Sequence, residues 1–134
     1  MKKKLSFSLV AVLMLSVLMM LAACQAKFNS VADYANSAEV QKIVAEAQSD
    51  DATCRVFAEG DTLVLEYKLT YDIESQYLSE AANLIKTELD KNPSVFTDVK
   101  NEMKVYCNVA NPRCVMRYYT QSGTLIIEYE PENY

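Results

Sequence analysis

Residues 62–69 read TLVLEYKL, and this alternation constrains the fold more than any other feature of the chain. Successive side chains of a strand point to opposite faces, so Leu63, Leu65, Tyr67 and Leu69 share one face while Glu66 and Lys68 take the other. A near-copy, TLIIEY at 124–129, sets Leu125, Ile127 and Tyr129 on one side and Glu128 on the other, with Glu130 following it to water. Each run follows a turn carrying Gly60 or Gly123, and upstream of each lies a β-favouring segment, CRVFA from Cys54 or CVMRYY from Cys114. Both copies therefore read as β-hairpins. The echo points to a duplicated unit inside one domain, because two copies are too few for a solenoid.

Helical spacing fills the rest. Val40, Ile43, Val44 and Ala47 make one apolar stripe, with Asn36 and Glu39 at capping-box spacing, so a helix is expected over about residues 38–48, preceded by a shorter turn at 31–35. Tyr77, Leu78, Ala81, Ala82, Ile85 and Leu89 share a second stripe that stops at Asn92-Pro93, where the proline ring disfavours helix in the residue before it. Val95, Phe96, Val99, Met103, Tyr106 and Ala110 restart the period. One-sided helices cover a one-sided sheet. The expected fold is α+β: a two-layer sandwich with a four-stranded, mainly antiparallel sheet from two hairpins, helices on one face, and a possible αββ duplication.

The amino end belongs to a different regime. Lys2, Lys3 and Lys4 form a basic cap, and residues 5–23 carry no charge, broken only by Ser6, Ser8 and Ser16. This is a secretory signal pattern; the alternative is an intact membrane-spanning helix. Leu21, Ala22, Ala23 and Cys24 resemble the box that ends bacterial lipoprotein signals, in which small residues let a peptidase hold the chain and the thiol accepts a diacylglyceryl group. On this reading residues 1–23 are a signal peptide, 24–29 a lipidated cysteine and short tether, and 30–134 a single domain. Each buried methylene contributes about 0.8 kcal/mol, so two palmitate-type acyl chains hold a protein durably in a bilayer. The five tether residues after Cys24 reach at most about 18 Å, which keeps the domain close to the outer face of the cell membrane.

Cleavage there leaves 111 residues, and loss of three lysines leaves 10 basic against 18 acidic residues. Nucleic acid is an unfavourable partner for such a surface, because phosphate binding needs cations. The chain has no histidine and no tryptophan, which removes the commonest general base, the usual triads and the commonest metal ligand. No catalytic residue, cofactor motif or metal motif stands out; carboxylate chemistry is the one enzymatic route left open.

The stretches SVADYANSAEVQ, AEGDTLVLEYKL and VMRYYTQSGTLIIEY, spaced by two helices and preceded by the lipobox, resemble an uncharacterised domain family of small lipoproteins of Gram-positive bacteria. The resemblance spans nearly all of residues 30–130. It implies a similar α+β fold and a cell-surface location, and it brings no catalytic residues with it. The family pattern is mostly apolar at positions 54, 107 and 114, so the thiols there are features of this chain.

If Cys24 is lipidated, three cysteines remain. A Cys107–Cys114 disulfide closes a short loop and stabilises by about 2 kcal/mol on the chain-entropy model. The rival is Cys54–Cys114, equivalent places in the two hairpins, and the third reading is three reduced, buried thiols. Nine tyrosines are many for this length. Tyr118 and Tyr119 are neighbours on a strand, so one faces out, either as a platform for a sugar or peptide or as packing at the core edge. Asp50-Asp51 and the series Glu128, Glu130 and Glu132 read as a cation site or as a solvated turn and a charged strand edge. The expectation is a non-catalytic, membrane-anchored surface module contacting a protein or envelope glycan through the exposed side of the sheet. The alternatives are an inhibitor or immunity-type protein that blocks an exported enzyme, and a carboxylate enzyme.

Overall fold

A computed structural model describes residues 28–132 and residue 134. The lipobox, Cys24 and most of the tether lie outside the described residues. Two short helices open the domain: α1 (Val31–Ala35) and α2 (Ala38–Glu46). The first hairpin, β1 (Ala52–Glu59) and β2 (Thr62–Leu69), follows; then come α3 (Leu78–Asp90) and α4 (Pro93–Tyr106), and the second hairpin, β3 (Arg113–Tyr119) and β4 (Leu125–Tyr129).

Local chemistry sets the boundaries. Ser30 Oγ accepts from the Asp33 amide at 3.0 Å and starts α1, and Ser37 Oγ accepts from the Val40 amide at 3.3 Å and starts α2. The expected cap for α2 was Asn36; that residue instead closes α1, and the serine beside it takes the role. Pro93 stands in the first turn of α4, where its missing N–H goes unused. Gly60, with φ +61°, forms the tight β1–β2 turn with Asp61, a conformation that a Cβ disfavours.

The sheet runs β1-β2-β3-β4. The outer pairs are antiparallel and β2 pairs β3 in parallel, from Thr62 opposite Arg113 to Lys68 opposite Tyr119. The α+β architecture and the mostly antiparallel sheet match the pattern read from the residues. The two hairpins run in opposite senses across the sheet while sharing the helix-covered face, so the TLVLEY/TLIIEY echo is not carried by a repeated topology.

The inner face carries Cys54, Val56, Leu63, Leu65, Tyr67, Leu69, Cys114, Met116 and Tyr118, all buried against Tyr34, Val40, Ile85, Leu89, Phe96 and Met103 from the helices. One expectation fails. A register shift between Tyr118 and Tyr119 pairs Tyr118 with Ile127 but Tyr119 with Leu125. The extra residue turns Leu125 onto the outer face beside Tyr119, where it is 48% exposed.

The outer face is charged in register. Arg55, Glu66, Arg117 and Glu128 stand level across all four strands, alternating in sign. Arg55 pairs with Glu66 at 2.8 Å, and Arg117 reaches both Glu59 at 2.8 Å and Glu128 at 3.2 Å. The neighbouring row, Phe57, Val64 and Val115, is apolar, and both valines are buried. Arg55 lies 4.6 Å from the centre of the Phe57 ring. An apolar strip thus runs beside the charged row on a face that alternation alone assigns to water, with the Arg55 guanidinium over its Phe57 end.

Candidate functional site: an acidic cleft at the open sheet edge

Where α3 ends and α4 begins, the chain turns beside β4 and leaves a cleft of about 480 Å³. Its helical wall is Lys86, Asp90 and Pro93; its strand wall runs from Ile127 to Glu132. Leu89 and Phe96 anchor the helical wall in the core, and Tyr129 anchors the strand wall, with its ring 5.5 Å from that of Phe96. The Tyr129 hydroxyl donates to Asp90 Oδ1 at 2.7 Å and ties the two walls together.

Four carboxylates and one ammonium line the cleft. Asp90 Oδ2 accepts from Lys86 Nζ at 2.7 Å, and the Lys86 and Tyr129 donors hold its carboxyl below the usual carboxylate range. Glu130 takes two bonds from Arg113, at 3.1 and 2.6 Å, and one from the Tyr134 hydroxyl, which likewise lower its pKa, the arginine contributing most. Glu128 pairs with Arg117 on the outer face. Glu132 is exposed at the rim and acts electrostatically on Lys86.

The two sheet edges differ. On β1, the Gln48 amide accepts from the Cys54 N–H and donates to the Cys54 carbonyl, both at 2.9 Å, as a neighbouring strand would. Ser49 similarly closes Ala52: its N–H donates to the Ala52 carbonyl at 3.1 Å and its Oγ accepts from the Ala52 amide at 3.2 Å. On β4, no hydrogen bond among the described residues takes the outward backbone groups of Leu125–Tyr129. The first half of the β1 edge is plugged, at Ala52 and Cys54, whereas the whole of the β4 edge is open beside the cleft.

The residues singled out in the sequence fall in different places. Tyr118 is 0% exposed, its ring 5.2 Å from that of Tyr67 at the sheet centre, so it is a core residue and no part of a surface platform. Tyr119 is half-buried on the outer face, level with Lys68 and Leu125. The described cysteines are buried free thiols. Burial raises Cys54 to about 12 and Cys107 to about 11, and pushes Cys114 up as well, so none is a ready nucleophile. The Cys54–Cys114 pairing is excluded by register. Cys54 is level with Tyr67 and Tyr118, four residues along from Cys114 and two strands away, about 16 Å apart, where a disulfide needs under about 7 Å. Cys107 and Cys114 are both free, buried thiols. Among the described residues no group of acidic or thiol side chains is arranged to hold a metal ion.

Sequence reasoning singled out Glu128, Glu130 and Glu132 but missed Lys86, Asp90 and Gln48. Their roles arise only when α3 meets β4 and the residues after α2 meet β1, and no local pattern marks either meeting.

Fold and cleft together define a small α+β domain with a mixed four-stranded sheet, one edge plugged over its first half and one open, acid-lined edge. Residues 31–130 match the model of a domain of unknown function, DUF4854, and the chain belongs to that family. No curated protein and no solved structure matches the chain.

Proposed function

We propose that this protein is a non-catalytic binding module held on the outer face of a bacterial cell membrane by acyl chains on Cys24. The observation that carries the binding half is the state of the cleft. Asp90 and Glu130 are ion-paired, with pKa values lowered by those partners, whereas a general acid needs a value raised towards neutrality. Groups so paired are poor general acids, and charge is what they offer a partner. The carboxyl that is raised, Glu102, is buried among core residues on α4. The anchoring half rests on the basic cap, the uncharged run and the Leu21-Ala22-Ala23-Cys24 box. Among the described residues no helix is long and apolar enough to cross a membrane.

The test uses the full chain in bacterial membranes with a photo-crosslinking side chain at Glu132. Recovery of one partner in stoichiometric amount, lost when Lys86 and Glu132 are exchanged in charge, supports the reading. A partner that proves to be an exported enzyme silenced by the contact makes the module an inhibitor. Turnover of a small substrate that stops with Asp90→Asn overturns the non-catalytic reading.

A further inference from the structure

We infer that the open edge of β4 takes an extended segment of a partner protein bearing lysine or arginine side chains, which adds a fifth strand to the sheet. The inference rests on the binding-module reading and names the chemistry of the partner.

An extended segment is indicated by the backbone. A sheet edge presents unpaired N–H and C=O groups that template another strand, and folded proteins ordinarily block them. This chain does so over the first half of β1, where Gln48 and Ser49 occupy the outward groups of Cys54 and Ala52. On β4 nothing among the described residues does. The cleft runs along that edge and continues the strand wall to Pro131, whose ring ends the run of donors.

Positive charge is indicated by the walls. Glu128, Glu130 and Glu132 line the strand wall, and opposite them stand Asp90 and one ammonium, Lys86, which Asp90 already pairs. Arg113 and Arg117 offset Glu130 and Glu128 from the outer face, and Arg117 is shared with Glu59, so the balance at the edge stays acidic. A second copy of β4 would bring Glu128 and Glu130 against their own kind, and like charges directly opposite are destabilising. The carboxylates thus disfavour self-pairing and favour a cationic strand. Side chains of an added strand alternate, so one set meets the carboxylates while the other meets Ile127 and Pro93.

The probe is an acetylated, amidated peptide about seven residues long alternating lysine and valine, matched to the length of a short strand. Its binding to the full chain in neutral detergent micelles is read by fluorescence anisotropy. Two further peptides replace lysine by glutamate or carry N-methyl groups on alternate backbone amides. The lysine peptide is expected to saturate, and the glutamate peptide not to bind. N-methylation, which removes several edge hydrogen bonds at about 1 kcal/mol each, is expected to weaken binding at least about tenfold. Glu132→Lys is expected to weaken it severalfold, and Glu39→Lys, on the exposed side of α2, to leave it unchanged, with circular dichroism confirming both folds. Equal binding of the N-methylated peptide, equal effects of the two variants, or no saturable binding overturns the inference. A partner captured through another surface would leave the binding-module reading standing while this one falls.

Discussion

Tyr67 and Tyr118 are buried with rings in contact, and neither hydroxyl has a hydrogen-bond partner among the described residues. A buried hydroxyl without a partner forfeits its hydration, so Tyr67→Phe and Tyr118→Phe should be neutral or stabilise by about 1–2 kcal/mol in urea unfolding. Tyr34 provides the contrast. Its hydroxyl donates to Glu102 Oε1 at 3.1 Å and links α1 to α4, so Tyr34→Phe should destabilise by about 1 kcal/mol. Glu102 is 9% exposed, and burial raises its carboxyl to about 7, the Tyr34 bond opposing this in part; the other titratable group acting with it is Cys107. Its native value exceeds its unfolded one, so the stabilisation it gives is complete below pH 4.5 and is lost as pH rises through 7. Glu102→Gln removes that titration. The stability difference between wild type and variant should therefore shift against the wild type by about 2–3 kcal/mol between pH 4.5 and pH 8, measured by urea unfolding at each pH.

At the scale of elements, the edges carry the interest. Gln48→Ala removes two bonds to Cys54, should lower stability by about 1–2 kcal/mol, and should raise self-association in sedimentation by opening β1. The elements themselves were largely legible, because periodicity reports burial: Leu63, Leu65, Tyr67 and Leu69 face the core as their alternation requires, and α3 stops before Pro93 as its ring requires. Less was legible where non-local geometry decides. The bulge at Tyr118/Tyr119 is a backbone event without a residue signature, and it moved Leu125 from the inner face to the outer. Val64 and Val115 are buried on a face that alternation assigns to water, in a row next to the ion-paired Arg55 and Arg117, a neighbourhood that forms only when the strands assemble. The cleft was half legible: three of its glutamates stood out in the sequence, but Asp90 reads as an ordinary helix-end charge until Tyr129 reaches it.

For the whole molecule, placement and charge act together. On the proposed reading, cleavage leaves 10 basic and 18 acidic residues, a balance that anionic headgroups repel, so the anchor proposed at Cys24 would have to act without electrostatic help. Cys24→Ala is expected to abolish palmitate incorporation and release the protein from the membrane fraction; unchanged retention would overturn the anchored reading. The topology has its own consequence. The parallel seam between β2 and β3 joins segments on either side of the entire α3–α4 connection, and its seven register pairs hold the two hairpins in one sheet. A backbone cut at Asn92 would thus sever the chain without dividing the core, leaving two fragments that each carry one hairpin and one border of the seam. Mixed in solution, such halves would find each other by zipping that border, as complementary pieces of a split reporter do.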